Sequence, residues 1–93
     1  MRTIYIDFSQ IGDDEDFYNQ LREKAALPDE FGDNMDALYD VITGFWELPL
    51  RLEFVNMSVN QLEFFDEHIS NLEAIEEECE DFYFSYFLEQ YED

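Results

Sequence analysis

Residues 27–46 read LPDEFGDNMDALYDVITGFW, and this stretch predicts a tight loop followed by a short helix. Pro28 and Gly32 supply the fixed and the permissive backbone angles that a sharp connection needs. Asp33 or Asn34 would begin the helix, because either side chain can accept a hydrogen bond from a free N–H of the first helical turn. The loop and the helix therefore form one segment, and the rest of the chain is interpreted around it.

The predicted helix ends near Gly44 and has two different faces. Its spacing directs one apolar stripe toward a core, formed by Met35, Leu38 and Ile42. The other face carries polar side chains with an aromatic ring beside them, namely Asp36, Asp40, Thr43 and Tyr39. Two carboxylates four residues apart on a helix repel each other by about 0.2–0.5 kcal/mol, so the acidic pair is locally unfavourable. Such a pair indicates either a functional face or a merely solvated surface, and spacing alone leaves both interpretations open.

The chain is strongly acidic, because its 93 residues include 25 Asp and Glu against 4 Lys and Arg, for a net charge of −21. This length allows one domain, residues 1–93, with one modest core. Hydrophobic residues make up 46% of the chain and aromatic residues 18%, too much for a disordered acidic tail. The charge repels nucleic acid and anionic membranes and attracts basic partners. We therefore expect no direct nucleic-acid binding and no membrane binding.

The remaining composition favours a soluble, cytoplasmic protein. Cys79 is the single cysteine, so no disulfide can form within the chain, which suits a reducing compartment. We expect Cys79 to pack as a small apolar residue. The chain starts with MRTIYIDF, which alternates like a strand and lacks the apolar core of a signal peptide. No stretch approaches the roughly 18 consecutive apolar residues that a membrane-spanning helix needs.

The order of elements predicts an α/β fold. Alternating residues predict strands at 3–8 and 49–55, and a near-continuous aromatic run predicts a third strand, covered on both faces, at 82–88. Helical spacing predicts further helices at 14–26 and 58–80. Because each connection between strands is long enough for a crossover, we expect a small three-stranded parallel sheet packed by three or four helices.

Several details of these elements are left for the structure to decide. Arg22 and Lys24 lie near the end of the first helix and acids lie at its start, an order that suits the helix dipole. Trp46 fits either the core or the rim of a contact surface. Residues 89–93 are expected to form a frayed acidic end.

The segment 58–80 fits one long helix or two shorter helices. A break near residues 68–70 would divide it, with Ser58 and Ser70 as the caps of the two parts.

The central motifs are specific enough to indicate a family. They are Ala26-Leu27-Pro28, Phe31-Gly32-x-Asn34, Asp36-Ala37-Leu38-Tyr39-Asp40, Thr43-Gly44 and Pro49-Leu50-x-Leu52-Glu53. With these motifs the sequence resembles the barstar-like family of intracellular inhibitors of ribonucleases such as barnase. The order of elements agrees along essentially the whole chain, whereas the flanks match in pattern only.

The resemblance implies a fold of three parallel strands with helices around them, and a protein inhibitor as the function. In the family, the loop and the following helix plug the active site of a ribonuclease, where helix carboxylates occupy the positions of substrate phosphates. By position, Asp40 would be the principal phosphate mimic and Asp36 its neighbour. The implied partner is a basic, extracellular-type ribonuclease or toxin nuclease, bound one-to-one by a chain that is monomeric when free.

The resemblance also assigns supporting roles within the same surface. Asn34, Gly32, Thr43 and Gly44 would shape the loop and helix contacts, and Tyr39 would supply apolar area. An acid near the end of the last helix would reach the rim, with Glu78 preferred over Glu77.

Three residues in this candidate surface depart from the family pattern. Tyr39 stands where Trp is usual, Phe45 stands where Trp is common, and Glu30 stands where an aromatic residue is frequent. Glu30 would lose a stacking contact with a base-binding pocket. These departures leave open whether barnase itself is the target.

Two other functions fit the same acidic face: an immunity protein against a different toxin nuclease, and a nucleic-acid-mimic module that binds a basic protein. We expect no enzyme activity, because the sequence has no Ser/His/Asp order and no phosphate-binding loop. We also expect no cofactor and no metal. His68 is the single histidine, and the acids at 33, 36 and 40 lack the spacing of a calcium loop.

Overall fold

In the computed structural model, residues 1–89 are described and form a three-stranded sheet with four α-helices and one short 3₁₀ turn. The elements in chain order are β1 (Arg2–Asp7), the 3₁₀ turn (Phe8–Gln10), α1 (Asp14–Lys24), α2 (Met35–Gly44), β2 (Leu50–Met57), α3 (Val59–Phe64), α4 (Asp66–Glu78) and β3 (Phe82–Leu88). The predicted acidic end at 89–93 lies, apart from its first residue, outside the described residues.

The sheet is parallel throughout, with β2 between β1 and β3. Ile4 pairs with Leu52, and Leu52 pairs in turn with Phe84 across the sheet. All three side chains are buried, because every second residue of each strand points toward the core. The predicted α/β fold with a three-stranded parallel sheet and three or four helices is therefore confirmed.

An aromatic cluster fills the space between this sheet face and the helices. The ring centroid of Phe8 lies 4.7 Å from that of Phe54 on β2 and 5.1 Å from that of Phe65. Phe17 of α1 is fully buried beside them. Large apolar rings at these distances dominate core stability, so the helices rest on a closely packed platform.

The third strand corrects one prediction, because β3 is not covered on both faces. Phe82 and Phe84 are buried, but Tyr83, Tyr86 and Phe87 are each at least 39% exposed. The physical reason is position: β3 is an edge strand of the sheet, and its outer face has no helix packed on it in residues 1–89. The aromatic composition indicated a strand correctly and its burial incorrectly.

The segment 58–80 divides at Phe65 rather than at residues 68–70, so the predicted position of the break was wrong. Phe65 is 1% exposed and packs into the aromatic cluster, which explains why the chain turns there. Ser58 caps α3 in a reciprocal capping box with Gln61, as its sequence position indicated. Ser70 is not a cap and lies inside α4.

The first helix agrees with its predicted charge order. Asp13 caps α1, acids occupy its first turn, and Arg22 and Lys24 lie in its last turn. The helix ends at Lys24, two residues earlier than predicted. Among residues 1–89, no helix is long and apolar enough to cross a membrane.

Candidate partner-binding site

The loop before α2 is anchored to the core from both of its ends. The indole N–H of Trp46 donates a hydrogen bond of 2.7 Å to the carbonyl oxygen of Ala26. Trp46 is only 7% exposed, so it belongs to the core and not to a contact rim. Within the loop, the N–H of Phe31 donates to the carbonyl oxygen of Pro28 at 3.0 Å, and the Phe31 ring is buried. The loop is therefore positioned by packing as well as by sequence-local turns.

Arg22 fixes the loop from the side of α1. Its guanidinium donates to the carboxylate of Asp33 at 3.1 Å and to the carbonyl oxygen of Phe31 at 3.2 Å. The same guanidinium lies over the Phe31 ring, 5.7 Å from its centroid. The sequence assigned Arg22 only to the helix dipole. The contacts are separated by about ten residues along the chain, so no local pattern indicated them.

The start of α2 decides between the two predicted caps in favour of Asn34. The Asn34 side-chain oxygen accepts from the N–H of Ala37 at 2.7 Å, and its amide group donates to the carbonyl oxygen of Gly32 at 3.1 Å. Asp33, with φ at 53°, takes the left-handed conformation that was expected of Gly32. A Cβ at Gly32 would lie 3.2 Å from the Asn34 amide nitrogen, so the glycine provides room for the cap.

The two faces of α2 have the burial that the spacing predicted. Leu38 and Ile42 are completely buried, whereas Asp36 and Asp40 are exposed. Thr43 is also exposed, and its hydroxyl donates to the carbonyl oxygen of Tyr39 at 2.8 Å. The acidic side chains therefore stand on a helix whose opposite face is locked into the core.

Grooves lie on both sides of the exposed face of α2. One groove, of about 300 Å³, separates the helix from the loop and is lined by Pro28, Glu30, Phe31, Ala37, Asp40, Val41, Gly44 and Phe45. The other, of about 190 Å³, separates it from α4 and is lined by Met35, Asp36, Tyr39, Asn71, Ala74, Ile75 and Glu78. Asp40 and Asp36 thus border different grooves although both belong to one exposed helix.

Tyr39 and Glu78 close part of the groove beside α4. The phenol of Tyr39 donates to the Glu78 carboxylate at 3.3 Å. The negative charge of Glu78, followed by this hydrogen bond, raises the pKa of Tyr39 above its usual value. Of the two acids considered at the end of α4, Glu78 lines the groove, whereas Glu77 is exposed elsewhere on the helix.

The resulting surface is fixed and negative. Glu30 and Asp40 are exposed and make no hydrogen bond or ion pair with another residue of the range 1–89. Arg22, the cation nearest to the loop, is already paired with Asp33. Such a surface suits cationic groups of a partner. It does not resemble a metal site, since the described part of the chain has no group of three or more His, Cys, Asp or Glu that could hold a metal ion.

A family model described as "Barstar (barnase inhibitor)" matches residues 1–90. The chain belongs to the Barstar family. A relative in Bacillus subtilis (strain 168) is 32% identical over 84 residues, which cover 87% of this chain and 92% of that protein. The relative's name is "Putative ribonuclease inhibitor YrdF". The resemblance inferred from the central motifs is therefore confirmed, and membership supports a role of the ribonuclease-inhibitor type.

In this Barstar-family chain, most of the predicted site residues lie on one continuous surface of the loop and α2. Glu77 is the exception, because it lines neither groove. The structure also adds residues that the sequence did not single out as contacts. Phe45 is 50% exposed at the end of the loop groove, and Asn71 lines the other groove from α4. The helical spacing of Asn71 from Glu78 could have indicated it, whereas nothing local indicated the exposure of Phe45.

Proposed function

We propose that this Barstar-family chain inhibits a ribonuclease by placing α2 and the preceding loop in the enzyme's cationic active site. In this mechanism the Asp40 carboxylate takes the position of a substrate phosphate and Asp36 that of a neighbouring charge. The complex is one-to-one, and its effect is steric and electrostatic occlusion without any chemical step. The target is a small basic enzyme of the secreted type, met in the cytoplasm of the cell that makes both proteins.

The observation that carries the proposal is the rigid mounting of these carboxylates. Leu38 and Ile42 bury the opposite face of α2 completely, and Asn34 caps the helix. Ordering a flexible side chain or loop on binding costs about 0.5–1.5 kcal/mol for each side chain. Because the helix already holds Asp36 and Asp40 in place, part of this cost is absent.

The chemistry of a ribonuclease active site complements this surface. Enzymes that cleave RNA gather Lys, Arg and His around the scissile phosphate, and a carboxylate accepts strong, bidentate hydrogen bonds from Arg. Glu78 and Tyr39 extend the acidic and aromatic surface toward the rim from α4 and α2. The net charge of −21 further favours rapid association with a cationic enzyme at low salt.

The test uses the whole chain, immobilised at low salt to capture ribonuclease from extracts of the source organism, followed by inhibition titrations with the captured enzyme. We expect the wild type to retain and inhibit the enzyme. Asp40→Asn should weaken binding by about 10- to 150-fold, the equivalent of about 1.5–3 kcal/mol for a hydrogen bond to a charged group. Asp36→Asn should weaken it less.

Glu63→Gln is the matched control, because it also removes one exposed charge. It lies on α3, which follows β2, whereas α2 precedes β2, so the two helices are at opposite ends of that strand. Absence of retained ribonuclease activity, or equal losses for Asp40→Asn and Glu63→Gln, would refute the proposal.

A further inference from the structure

The groove between the loop and α2 has a chemical character that one phosphate-mimicking carboxylate does not require. Glu30 borders it from the loop and Asp40 borders it from α2, so two carboxylates share one groove of about 300 Å³. Ala37 and Val41 supply apolar surface between them, and Phe45 is half exposed at one end. The groove therefore combines an apolar floor with an anionic rim.

Gly44 gives an independent indication that the groove has room for a guest. A Cβ built at Gly44 meets no atom within 4 Å, and the residue does not have a positive φ. Neither crowding nor backbone conformation within residues 1–89 therefore requires a glycine here. In the last turn of a helix a glycine is less favourable than alanine, so its presence costs the free protein stability. The open space above Gly44 lies in the same groove as the two carboxylates.

We infer that this groove receives an arginine side chain of the partner protein. The inference rests on the proposed function and specifies which group of the nuclease enters here. The aliphatic part of an arginine packs on the apolar floor, and its planar guanidinium has five N–H donors that can serve Glu30 and Asp40 together. The exposed Phe45 ring offers a face on which a guanidinium stacks. Lysine has no planar group and fewer donors, so it suits the groove less well.

Charge complementarity identifies the occupant further. A second copy of this chain would bring another net charge of −21 to an anionic rim, and its 4 basic residues include Arg22, which is already paired with Asp33. A cationic enzyme brings the opposite charge. Glu30 is on this basis a specificity-determining residue, because it adds a second anion for a guanidinium beside Asp40.

The test needs no nuclease, so its failure can be distinguished from failure of the proposed function. ¹⁵N-resolved NMR spectra of the whole chain are recorded during titration with N-acetylarginine amide. Uncharged N-acetylcitrulline amide serves as the probe of the same shape. We expect saturable shifts centred on the amides of Ala37, Val41, Gly44 and Phe45 with the arginine probe, and none with the citrulline probe. Glu30→Gln and Asp40→Asn should each weaken binding by about two- to fivefold, as for partly exposed ion pairs.

Gly44→Ala separates binding from folding. This variant should raise the midpoint of thermal unfolding, because alanine is the better helix former, and yet weaken arginine binding by filling the groove. Glu63→Gln should leave the arginine affinity unchanged.

Three results would overturn the inference. They are shifts spread evenly over the acidic surface, an equal effect of Glu63→Gln and Glu30→Gln, and equal binding of N-acetyllysine amide. In the complex, a large loss for Asp40→Asn with none for Glu30→Gln or Gly44→Ala would likewise reject the arginine groove while leaving the inhibitor function intact.

Discussion

Arg22 connects α1 to the loop through an ion pair, a backbone hydrogen bond and a ring contact, so we predict that it positions the binding loop. Arg22→Ala should accelerate amide hydrogen exchange in residues 28–33. It should lower the free energy of unfolding by no more than about 1 kcal/mol, because the pair with Asp33 is exposed to solvent. Hydrogen exchange followed by mass spectrometry measures the first effect, and urea unfolding measures the second.

Arg22→Lys is the matched variant for this prediction. Lysine retains the charge that pairs with Asp33 but lacks the second arm of the guanidinium that reaches the carbonyl oxygen of Phe31. We expect intermediate exchange rates in the loop. Unchanged exchange in residues 28–33 in both variants would show that packing of Phe31 and Trp46 alone fixes the loop.

Tyr18 gives the fold a defined alkaline limit. It is 4% exposed, and burial, followed by the charges of Asp14 and Asp33, raises the pKa of its phenol to about 12. In the unfolded chain this phenol ionises near its ordinary pKa of 10. The stabilising contribution is therefore complete below pH 10 and is lost as the pH rises from 10 toward 12.

Tyr18→Phe removes this ionisable group and should make unfolding free energy fall less steeply above pH 10 than in the wild type. Urea unfolding at pH 8, 10 and 11 in the same salt provides the comparison. Other tyrosines, including Tyr39 with its raised pKa, ionise in both proteins and cancel in the difference. Parallel losses of stability in the two proteins would contradict the assignment to Tyr18.

The sequence predicted individual residues well where the determinant is local. Asn34 as a cap, the buried stripe of α2 and its exposed acids follow from spacing and hydrogen-bonding capacity over a few residues. Contacts between distant segments could not be predicted in this way. The bonds from Arg22 to the loop and from Trp46 to Ala26 depend on how separate elements meet, and a single sequence does not encode that meeting in any local pattern.

At the scale of elements, the exposed strand β3 is partly protected by a carboxylate of α4. The Glu76 side chain accepts a hydrogen bond of 2.8 Å from the N–H of Phe84. Unpaired backbone groups on an edge strand are templates for pairing with another chain, and a charge placed at the edge opposes such pairing. Tyr86 and Phe87, both exposed, would make an unprotected edge adhesive.

We predict that Glu76→Ala lowers the free energy of unfolding by about 1.5–3 kcal/mol, because it removes a hydrogen bond to a charged acceptor. It should also produce concentration-dependent self-association. Urea unfolding and light scattering after size exclusion measure the two effects. Glu77→Ala is the matched control, since it removes the same charge from an exposed position on the same helix. A Glu76→Ala protein that stays monomeric and is as stable as Glu77→Ala would refute the role.

The same strand shows why element type was easier to predict than element environment. An aromatic run indicates a strand through the preference of these residues for extended backbone, but its burial depends on whether the strand is central or at an edge. β2, between its two neighbours, buries Leu50, Leu52 and Phe54, whereas β3 leaves its outer residues exposed. The break at Phe65 was misplaced for a similar reason, since a distant aromatic cluster determines it.

At the scale of the whole molecule, charge repulsion and partner attraction come from the same carboxylates. The net charge is −21, while residues 1–89 show three ion pairs, Arg22–Asp33, Arg51–Glu53 and His68–Asp14. At least one partner in each pair is substantially exposed, so the pairs contribute little to stability. Repulsion among the remaining acids therefore dominates the long-range electrostatics of the folded state.

Salt should for this reason act in opposite directions on folding and on binding. The screening length falls from about 30 Å at 0.01 M to about 3 Å at 1 M, so added NaCl should raise the unfolding midpoint by weakening repulsion. The same screening should slow association with a basic ribonuclease by tenfold or more. Thermal unfolding and stopped-flow association, both measured across this range, check the two trends. A Glu63→Gln/Glu73→Gln variant removes two exposed charges, and it should be more stable at low salt and less responsive to NaCl. An unfolding midpoint that falls with salt would show that the three ion pairs outweigh the repulsion, and an association rate that ignores salt would remove charge from the mechanism of recognition.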